Sequence, residues 1–561
     1  MLFASRREDV VEGQAGSHPM RSTRHSRRRN VPFSSRCSPA MAVIYPVRRD
    51  SLNRYWVHAG VTLSIPARPS TFWGPVLGTP ASTGIREDHD VLVIGAGITG
   101  LTTALLLARQ GVDVAVVDAR RPGSGTTAKS TAKASLLQSV LGSQTLRKHG
   151  PEALRHYAAA NLAGQQIIRS VVEETKLVDM QVRDAWTYAT TTKGAKQVRA
   201  EYDALNEAGL PVELTIPSEL PYSVTEAVRL PDQLQINPSQ YLAALHAQLT
   251  ALDVPVVWPQ RIARVDSKDG VLRVTSTRGL TTKAKWVVLA TLLPFPLRTM
   301  AFATTTPMRS YAMAARVSSP IPQGMYISVD SPNHSLRTGR SAAGEEYLLV
   351  GGYGHQVGHK NPTSTHVAEL AQWTQDTFDV REFTHRWSAQ DYTSSHLLPQ
   401  VGPSPLGPSG VLIATGFGKW GITNGSAAAQ MLTGHITGDE PSWAALFAPR
   451  VAGLPKIAKQ NAEVAFTLAK GWLVEPHSSK DVKVGLPAPR AVSNVGGKRR
   501  ECSAVCTHLG GIVRFNDAED SWDCPLHGSR FDADGSVLEG PAVEALDGHH
   551  DETLSSQSGL A

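Results

Sequence analysis

The chain has 561 residues, room for about three domains at roughly 100–200 residues each, and its 41% hydrophobic and 19% charged residues are those of an ordinary folded protein. No apolar run reaches the roughly 18–20 residues that span a bilayer, which argues against an integral membrane segment. The net charge of +7 does not describe a nucleic-acid-binding face: residues 1–50 hold ten Arg and no Lys against Glu8, Asp9, Glu12 and Asp50, so +6 of it sits in one tail.

That tail, with SRREDV and RSTRHSRRRN, has no apolar periodicity, and residues 1–70 are expected to form a basic, disordered extension. Three readings stay open. The simplest is an over-long start, with Met41 the true one; an Arg- and Ser-rich transit peptide is the second. The third is a twin-Arg export signal at Arg48-Arg49, weakened by Arg54 and His58 in the apolar stretch it needs. Four Cys, at 37, 502, 506 and 524, do not build a disulfide-stapled secreted protein. They point to a reducing, cytoplasmic setting, with peripheral membrane association or export left open.

The first strong pattern is a βαβ unit from His89 to Asp118. VLVI (91–94) reads as a buried parallel strand and runs straight into Gly95-Ala96-Gly97-Ile98-Thr99-Gly100. Leu101, Ala104, Leu105 and Ala108 recur at helical spacing, Gly111 stops the helix, and VDVAVVD ends on Asp118. Gly95 permits the tight turn, Gly97 lets a pyrophosphate approach the backbone, and Gly100 lets helix and strand pack closely. The helix N-terminus faces the phosphates and Asp118 the ribose hydroxyls. The whole register points to a dinucleotide.

Two further segments favour FAD. RRPGSGTTAKSTAKAS (120–135), with Thr126 and Thr127, suits wrapping a cofactor. GVLIATGFGKWGITNGSAAAQMLTGHI (410–436) gives a strand, a second turn with Gly416, Gly418, Trp420 and Gly421, and a helix beginning near Thr423. That helix can aim its positive end at a flavin ring. Helices are expected near 152–175, 193–208, 238–251 and 365–378. The β-segments of 255–290, with a Lys268-Asp269-Gly270 turn, are expected in an inserted antiparallel domain, and VVLAT (287–291) returns to the nucleotide domain. No second dinucleotide fingerprint and no internal repeat is present.

From Trp73 to Phe447 the sequence resembles the D-amino-acid-oxidase-like (glycine-oxidase-type) family of FAD-dependent oxidoreductases. The likeness rests on the segments above and on AEYDALNEAGL (200–210), SLRTG and LLVGGYGHQVGH (335–359), and RWSAQDYTSSHLLPQVGPSP (386–405). It implies an α/β Rossmann-type FAD-binding domain, in parts about 89–180, 285–300 and 385–440, with a mostly antiparallel substrate domain over about 181–384. His396 and Leu397 stand where the family usually has an acid and a glycine, and Gln400 where an aromatic is common. Arg309, Tyr311, Arg337 and His355 are polar residues of the substrate domain; no catalytic acid or base is assigned.

After a Pro-, Gly- and Lys-rich linker at 448–485, in which 464–474 can form a short helix, come two boxes: Cys506-Thr507-His508 and Cys524-Pro525-Leu526-His527. A zinc finger pairs Cys with Cys and His with His. One Cys and one His in each box instead suit a [2Fe–2S] cluster with both Cys on one iron and both His on the other. CTHLGG and CPLHGSRFDADGSVLEGPA resemble Rieske domains, which implies a small all-β domain over 486–561. In respiratory-chain relatives a further Cys in each box forms a disulfide; Gly511 and Leu526 hold those places here. Ser529 keeps a hydroxyl for a bridging sulfide, whereas Phe531 replaces the Tyr of high-potential relatives. A potential below the top of the roughly −150 to +300 mV Rieske range is expected.

Together the modules imply an enzyme that oxidises a small amine or amino-acid-like substrate by hydride transfer to flavin. Electrons then pass singly through the cluster to an external one-electron acceptor. The alternatives are a flavin–Rieske reductase with reversed flow, and an electron-transfer or redox-sensing protein whose flavin pocket is filled by side chains.

Overall fold

The computed structural model describes residues 55–58, 61–76, 78–79, 84–359, 362–450, 466–470, 472–473, 481–483 and 488–547. The tail as far as residue 54, with its competing readings, and most of the expected linker lie outside these residues.

Two large sheets and three small ones organise the described chain, the first of the small ones pairing Tyr55–His58 with Val61–Ser64. The strand Asp88–Ile94, with Val91, Leu92, Val93 and Ile94 all buried, is the middle of an eight-stranded nucleotide-binding sheet. It pairs in parallel with Val114–Val117 on one side and with Thr281–Leu289 on the other. The far edge of Thr281–Leu289 is shared. Val271–Ser276 runs antiparallel along its first half, and Val411–Thr415 runs parallel along its second. Ile262–Lys268 extends the antiparallel edge. Residues 262–284 therefore continue the nucleotide-binding sheet instead of belonging to the inserted domain. One long strand, Thr281–Leu289, carries both kinds of pairing, which a local alternation pattern cannot distinguish.

Helices cover this sheet. Ile98–Arg109 and Gly421–Thr437 cross closely, because Gly425 offers no side chain at the place where a Cβ would lie 2.8 Å from Thr99 Oγ1. Pro151–Thr175 crosses the same helix at Gly164, where a Cβ would stand 2.1 Å from the Thr423 carbonyl. The helices expected from the sequence lie at Pro151–Thr175, Thr192–Glu207, Pro238–Ala251 and Ser364–Thr377. Leu141–His149 is a further helix, capped at its N-terminus from outside by Glu201, which accepts from the backbone N–H of Gly142 (2.9 Å) and Ser143 (2.7 Å).

The second sheet has nine strands and is mostly antiparallel. Val380–Ser394, Thr305–Val317, Glu346–Gln356, His334–Arg340, Met325–Ser328, Met180–Ala189, Glu226–Ile236 and Lys133–Ala134 follow one another across it. The expected tail ends earlier than residue 70. Arg386 donates to the carbonyls of Pro66 and Ala67 and accepts at its own carbonyl from the Ser70 N–H, which ties 66–70 to the sheet edge.

The C-terminal part forms a three-stranded sheet (Val482–Lys483, Arg490–Val495, Lys498–Ser503) and a four-stranded one (Arg514–Asn516, Ser521–Asp523, Arg530–Asp532, Val537–Glu539) around a core containing Trp522 and Phe531. In the linker, 466–470 and 472–473 are helical, and Leu468 packs on that core. Asp517 reaches the N-terminus of Ser364–Thr377, accepting from the Ser364 N–H (3.0 Å) and both neighbouring hydroxyls.

Candidate functional site

A cavity of about 500 Å³ runs from the glycine turn, between the two large sheets, to the face of the second. At its first end Gly95 (φ 112°) turns the chain 2.4 Å, at a virtual Cβ, from the Ala290 carbonyl, and Gly100 packs so tightly on Gly95 that any side chain would collide. Asp118 accepts from the N–H of Ala96 (2.7 Å) and of Arg120 (2.8 Å). It therefore holds the turn as well as facing the cavity, with a lone pair left on each oxygen for a ribose. Burial raises its pKa, against those hydrogen bonds and Arg120. Thr127 Oγ1 accepts from the Ile98 N–H (3.3 Å) beside Gly97.

Gly95, Gly97, Asp118, Thr126, Thr127, Trp420 and Gly421 line the cavity. Gly416 lies beneath Ser394, and the Gly418 N–H donates to the Tyr392 carbonyl (2.9 Å). Thr423 points to the opposite side of its helix and donates to Asn161 (2.6 Å). Of the polar residues singled out in the substrate domain, Tyr311 lines the cavity and hydrogen-bonds His355 Nε2 (3.0 Å). His355 Nδ1 faces the Gln356 carbonyl and so carries the proton; burial pushes this imidazole down to about 4, so Nε2 accepts from the tyrosine. Arg337 is spent on the carbonyls of Thr338, Thr131, Ala132 and Ile236. Arg309 is turned away, toward Asp523 of the C-terminal module (3.1 Å). Sequence reasoning missed Lys133 and the 538–543 loop, both cavity-lining.

In the C-terminal module each box is a loop closed on its own cysteine. Gly510 N–H donates to the Cys506 carbonyl (3.0 Å) and Gly528 N–H to the Cys524 carbonyl (3.0 Å). The loops bring the two thiols into hydrogen-bonding contact. That bond chiefly pulls Cys506 below the usual thiol range and pushes Cys524 well above it. The His508 and His527 rings meet edge to face at 5.2 Å. Burial pushes them down to about 4 and about 3, so both imidazoles are neutral, as ligands must be. His527 Nδ1 is buried without a protein partner. Among the described residues no three His, Cys, Asp or Glu donors converge on one point. Two thiols and two imidazoles supply the two donors per iron that a [2Fe–2S] cluster needs. Gly511 carries no side chain because Leu526 fills the space: a Cβ there would lie 2.8 Å from Leu526 and 2.9 Å from Cys524 Sγ.

The family model for the FAD dependent oxidoreductases (DAO) matches residues 90–434, and that for the Rieske [2Fe-2S] domain matches residues 474–550. The chain belongs to the DAO family of FAD-dependent oxidoreductases. It is 30% identical, over 85% of its own length and 97% of the other's, to the putative Rieske 2Fe-2S iron-sulfur protein YhfW of Bacillus subtilis strain 168. In structure it is similar to glycine oxidase from Geobacillus kaustophilus (TM-score 0.56, 17% identity, 66% of this chain and 100% of that one). L-Proline dehydrogenase from P. horikoshii also superposes (TM-score 0.54, 18% identity, 64% and 96%).

This oxidoreductase takes FAD in its nucleotide-binding fold and a Rieske-type [2Fe–2S] cluster in its C-terminal domain. Both sites fit. The cavity keeps open the space that the glycine turn, Asp118 and the 123–131 loop surround, so it is not a flavin pocket filled by side chains. The cluster loops present two thiols, two neutral imidazoles and the unpartnered His527 Nδ1.

The two sites share a wall. Along Val380–Ser394 side chains alternate between faces. Trp387, Ala389 and Asp391 line the cavity. Arg386 donates to the Ala518 carbonyl (2.7 Å), Ser388 accepts from Arg309 (2.9 Å), Gln390 donates to the Gly528 carbonyl (2.6 Å) and Tyr392 to the His527 carbonyl (2.9 Å). Leu538, Glu539, Gly540, Ala542 and Val543 of the Rieske domain themselves line the cavity. Lys129 reaches Glu539 (3.5 Å), and Phe302 packs edge-on against His527 (5.1 Å) and His508 (5.9 Å).

Proposed function

We propose that this enzyme oxidises a small amine or amino-acid-like substrate in the cavity and delivers the electrons one at a time, through the cluster, to an external acceptor. One observation carries the reading: a single strand, Val380–Ser394, separates the flavin cavity from the cluster loop, with Asp391 on one face and Tyr392 on the other. Successive layers stack about 10 Å apart, a short step for an electron. When bound, flavin accepts a hydride and a Rieske cluster passes single electrons. The glycine turn and Asp118 hold the nucleotide, the faces of both sheets exclude water from the reacting carbon, and Tyr392 and Gln390 hold the cluster loop against the wall. The names of the structural neighbours, glycine oxidase and L-proline dehydrogenase, support an amine substrate.

The test uses glycine, N-methylglycine, L-proline and glycinamide as donors and cytochrome c as acceptor, under anaerobic conditions. Cys506→Ser, which removes a cluster ligand, is expected to leave bleaching of the flavin intact and to abolish reduction of the cytochrome. Equal cytochrome rates in variant and wild type would show that electrons bypass the cluster.

A further inference from the structure

Lys133 stands apart from the other cations of the cavity. Lys129 faces Glu539, Lys419 faces Asp391, and Arg120 and Arg261 face Asp118. Lys133 is buried, and among the described residues no carboxylate pairs with it. Its Nζ donates instead to the Tyr326 carbonyl (2.6 Å) and to Ser335 Oγ (2.7 Å). A lysine nitrogen is tetrahedral. With Cε and two protein acceptors filling three directions, the fourth is left for the cavity that the residue lines. Around that position the wall is apolar or neutral: Ile327, Gly351, Gly352, and Tyr311 bonded to the neutral His355. The charge that acts on it is Arg337, engaged by the carbonyls of Thr131 and Ala132, which directly precede Lys133 in the chain.

We propose that Lys133 Nζ is the proton acceptor for the ammonium group of the bound substrate. This rests on the amine-oxidation reading. An amino acid or small amine enters as R₂CH–NH₃⁺, whose nitrogen has no lone pair to support loss of hydride from the adjacent carbon. Transfer of one N–H proton to Lys133 gives R₂CH–NH₂ and Lys–NH₃⁺. The α C–H then leaves with its electron pair to the flavin, the oxidant, and the product is the iminium R₂C=NH₂⁺. The proton on Lys133 returns to solvent when the product departs. The surroundings are consistent with this: burial, then Arg337, holds the Lys133 ammonium well below its ordinary pKa. Two fixed acceptors aim the nitrogen, and only the neutral amine has a lone pair left to aim.

The holoenzyme, with both cofactors, is mixed anaerobically with glycine, N-methylglycine, L-proline and glycinamide, whose ammonium groups differ in acidity, and flavin bleaching is followed from pH 6 to 10. In the wild type the limb that rises with pH is expected at one enzyme-owned position for every bleaching amine. In Lys133→Met it should move to the pKa of each free amine, with a loss of about 100-fold or more at pH 7 that shrinks toward pH 10. Lys133→Arg should not rescue it, since arginine keeps its proton. A wild-type limb that tracks the amines, or an unchanged profile in Lys133→Met, would overturn the Lys133 role and leave amine oxidation standing. If no amine bleaches the flavin while dithionite does, both readings fall. A second readout needs no turnover and no variant: acetic anhydride labelling of the holoenzyme, mapped by peptide mass spectrometry. Lys133 is expected to react at lower pH than the exposed Lys193; no labelling, or labelling only at the pH of Lys193, would also overturn the assignment.

Discussion

Leu526 lies where a respiratory-type Rieske domain carries a bracing cysteine, and Gly511 faces it from the other box. The two residues are matched sterically. With Leu526 seated, Gly511 has no room for a Cβ between that side chain and Cys524 Sγ. Packing thus replaces a covalent brace around the cluster. Phe531 is the second departure. It is fully buried in the same core as Cys506 and Cys524 and has no hydroxyl to offer, whereas Ser529 Oγ accepts from the Ala542 N–H (3.0 Å) and keeps its own proton to donate. Phe531→Tyr is expected to raise the cluster potential by on the order of 50 mV, the equivalent of about 1 kcal/mol for one hydrogen bond and one electron. An EPR-monitored redox titration reads it, and an unchanged or lower potential would show that the ring edge does not face the sulfurs.

Glu201 couples two helices, of which only one was expected from the sequence. It sits on Thr192–Glu207 and caps Leu141–His149, fully buried, and burial pushes its carboxyl up to about 7 against bonds from Ser143 and Gly142. The unfolded chain releases this proton near 4.5. The folded chain holds the extra proton between the two values, so stability falls as pH rises through that window and is flat above it. The stability of wild type relative to Glu201→Gln is therefore expected to drop by roughly 3 kcal/mol between pH 4.5 and 8 in urea unfolding. A constant difference would mean that the carboxyl is ionised throughout. Elements carried by local patterns were legible: the strand and glycines of 91–100, the helix over 193–208, the boxes at 506–508 and 524–527. Leu141–His149 was not, because its N-cap lies about sixty residues away. The edge strands of 262–284 read as generic β-structure, because register depends on partners that the local sequence does not name. Lys133 escaped notice for a similar reason: it is one of two lysines in TTAKSTAKAS, and only the fold, by bringing Tyr326 and Ser335 to it, sets it apart.

At the scale of the molecule the Rieske domain is fixed against the oxidoreductase body. Arg309, wholly buried, pairs with Asp523 (3.1 Å), and Arg530 pairs with both Asp523 (3.2 Å) and Glu539 (3.1 Å). Burial raises the pKa of these carboxylates, but the surrounding cations hold both below the usual range. Removing one partner of such a pair leaves a buried charge uncompensated, at a cost of about 3–5 kcal/mol. Arg309→Met is accordingly expected to loosen the domain, seen as faster proteolysis within 448–485 and slower flavin-to-cluster transfer; protection equal to wild type would show that the pair does not hold the interface. Docking of this kind also places the cluster next to the flavin without a swinging domain, so transfer between them should not depend on solvent viscosity.

In the proposed reaction, electrons taken from an amine cross the Val380–Ser394 wall into the cluster. Rapid-freeze EPR of the oxidised holoenzyme, mixed anaerobically with an amine that bleaches its flavin and with no acceptor present, tests this most directly. The reduced-cluster signal, with average g below 2, is expected to grow as the flavin bleaches. A fully bleached flavin beside a cluster that stays oxidised, although dithionite reduces it, would contradict the proposal.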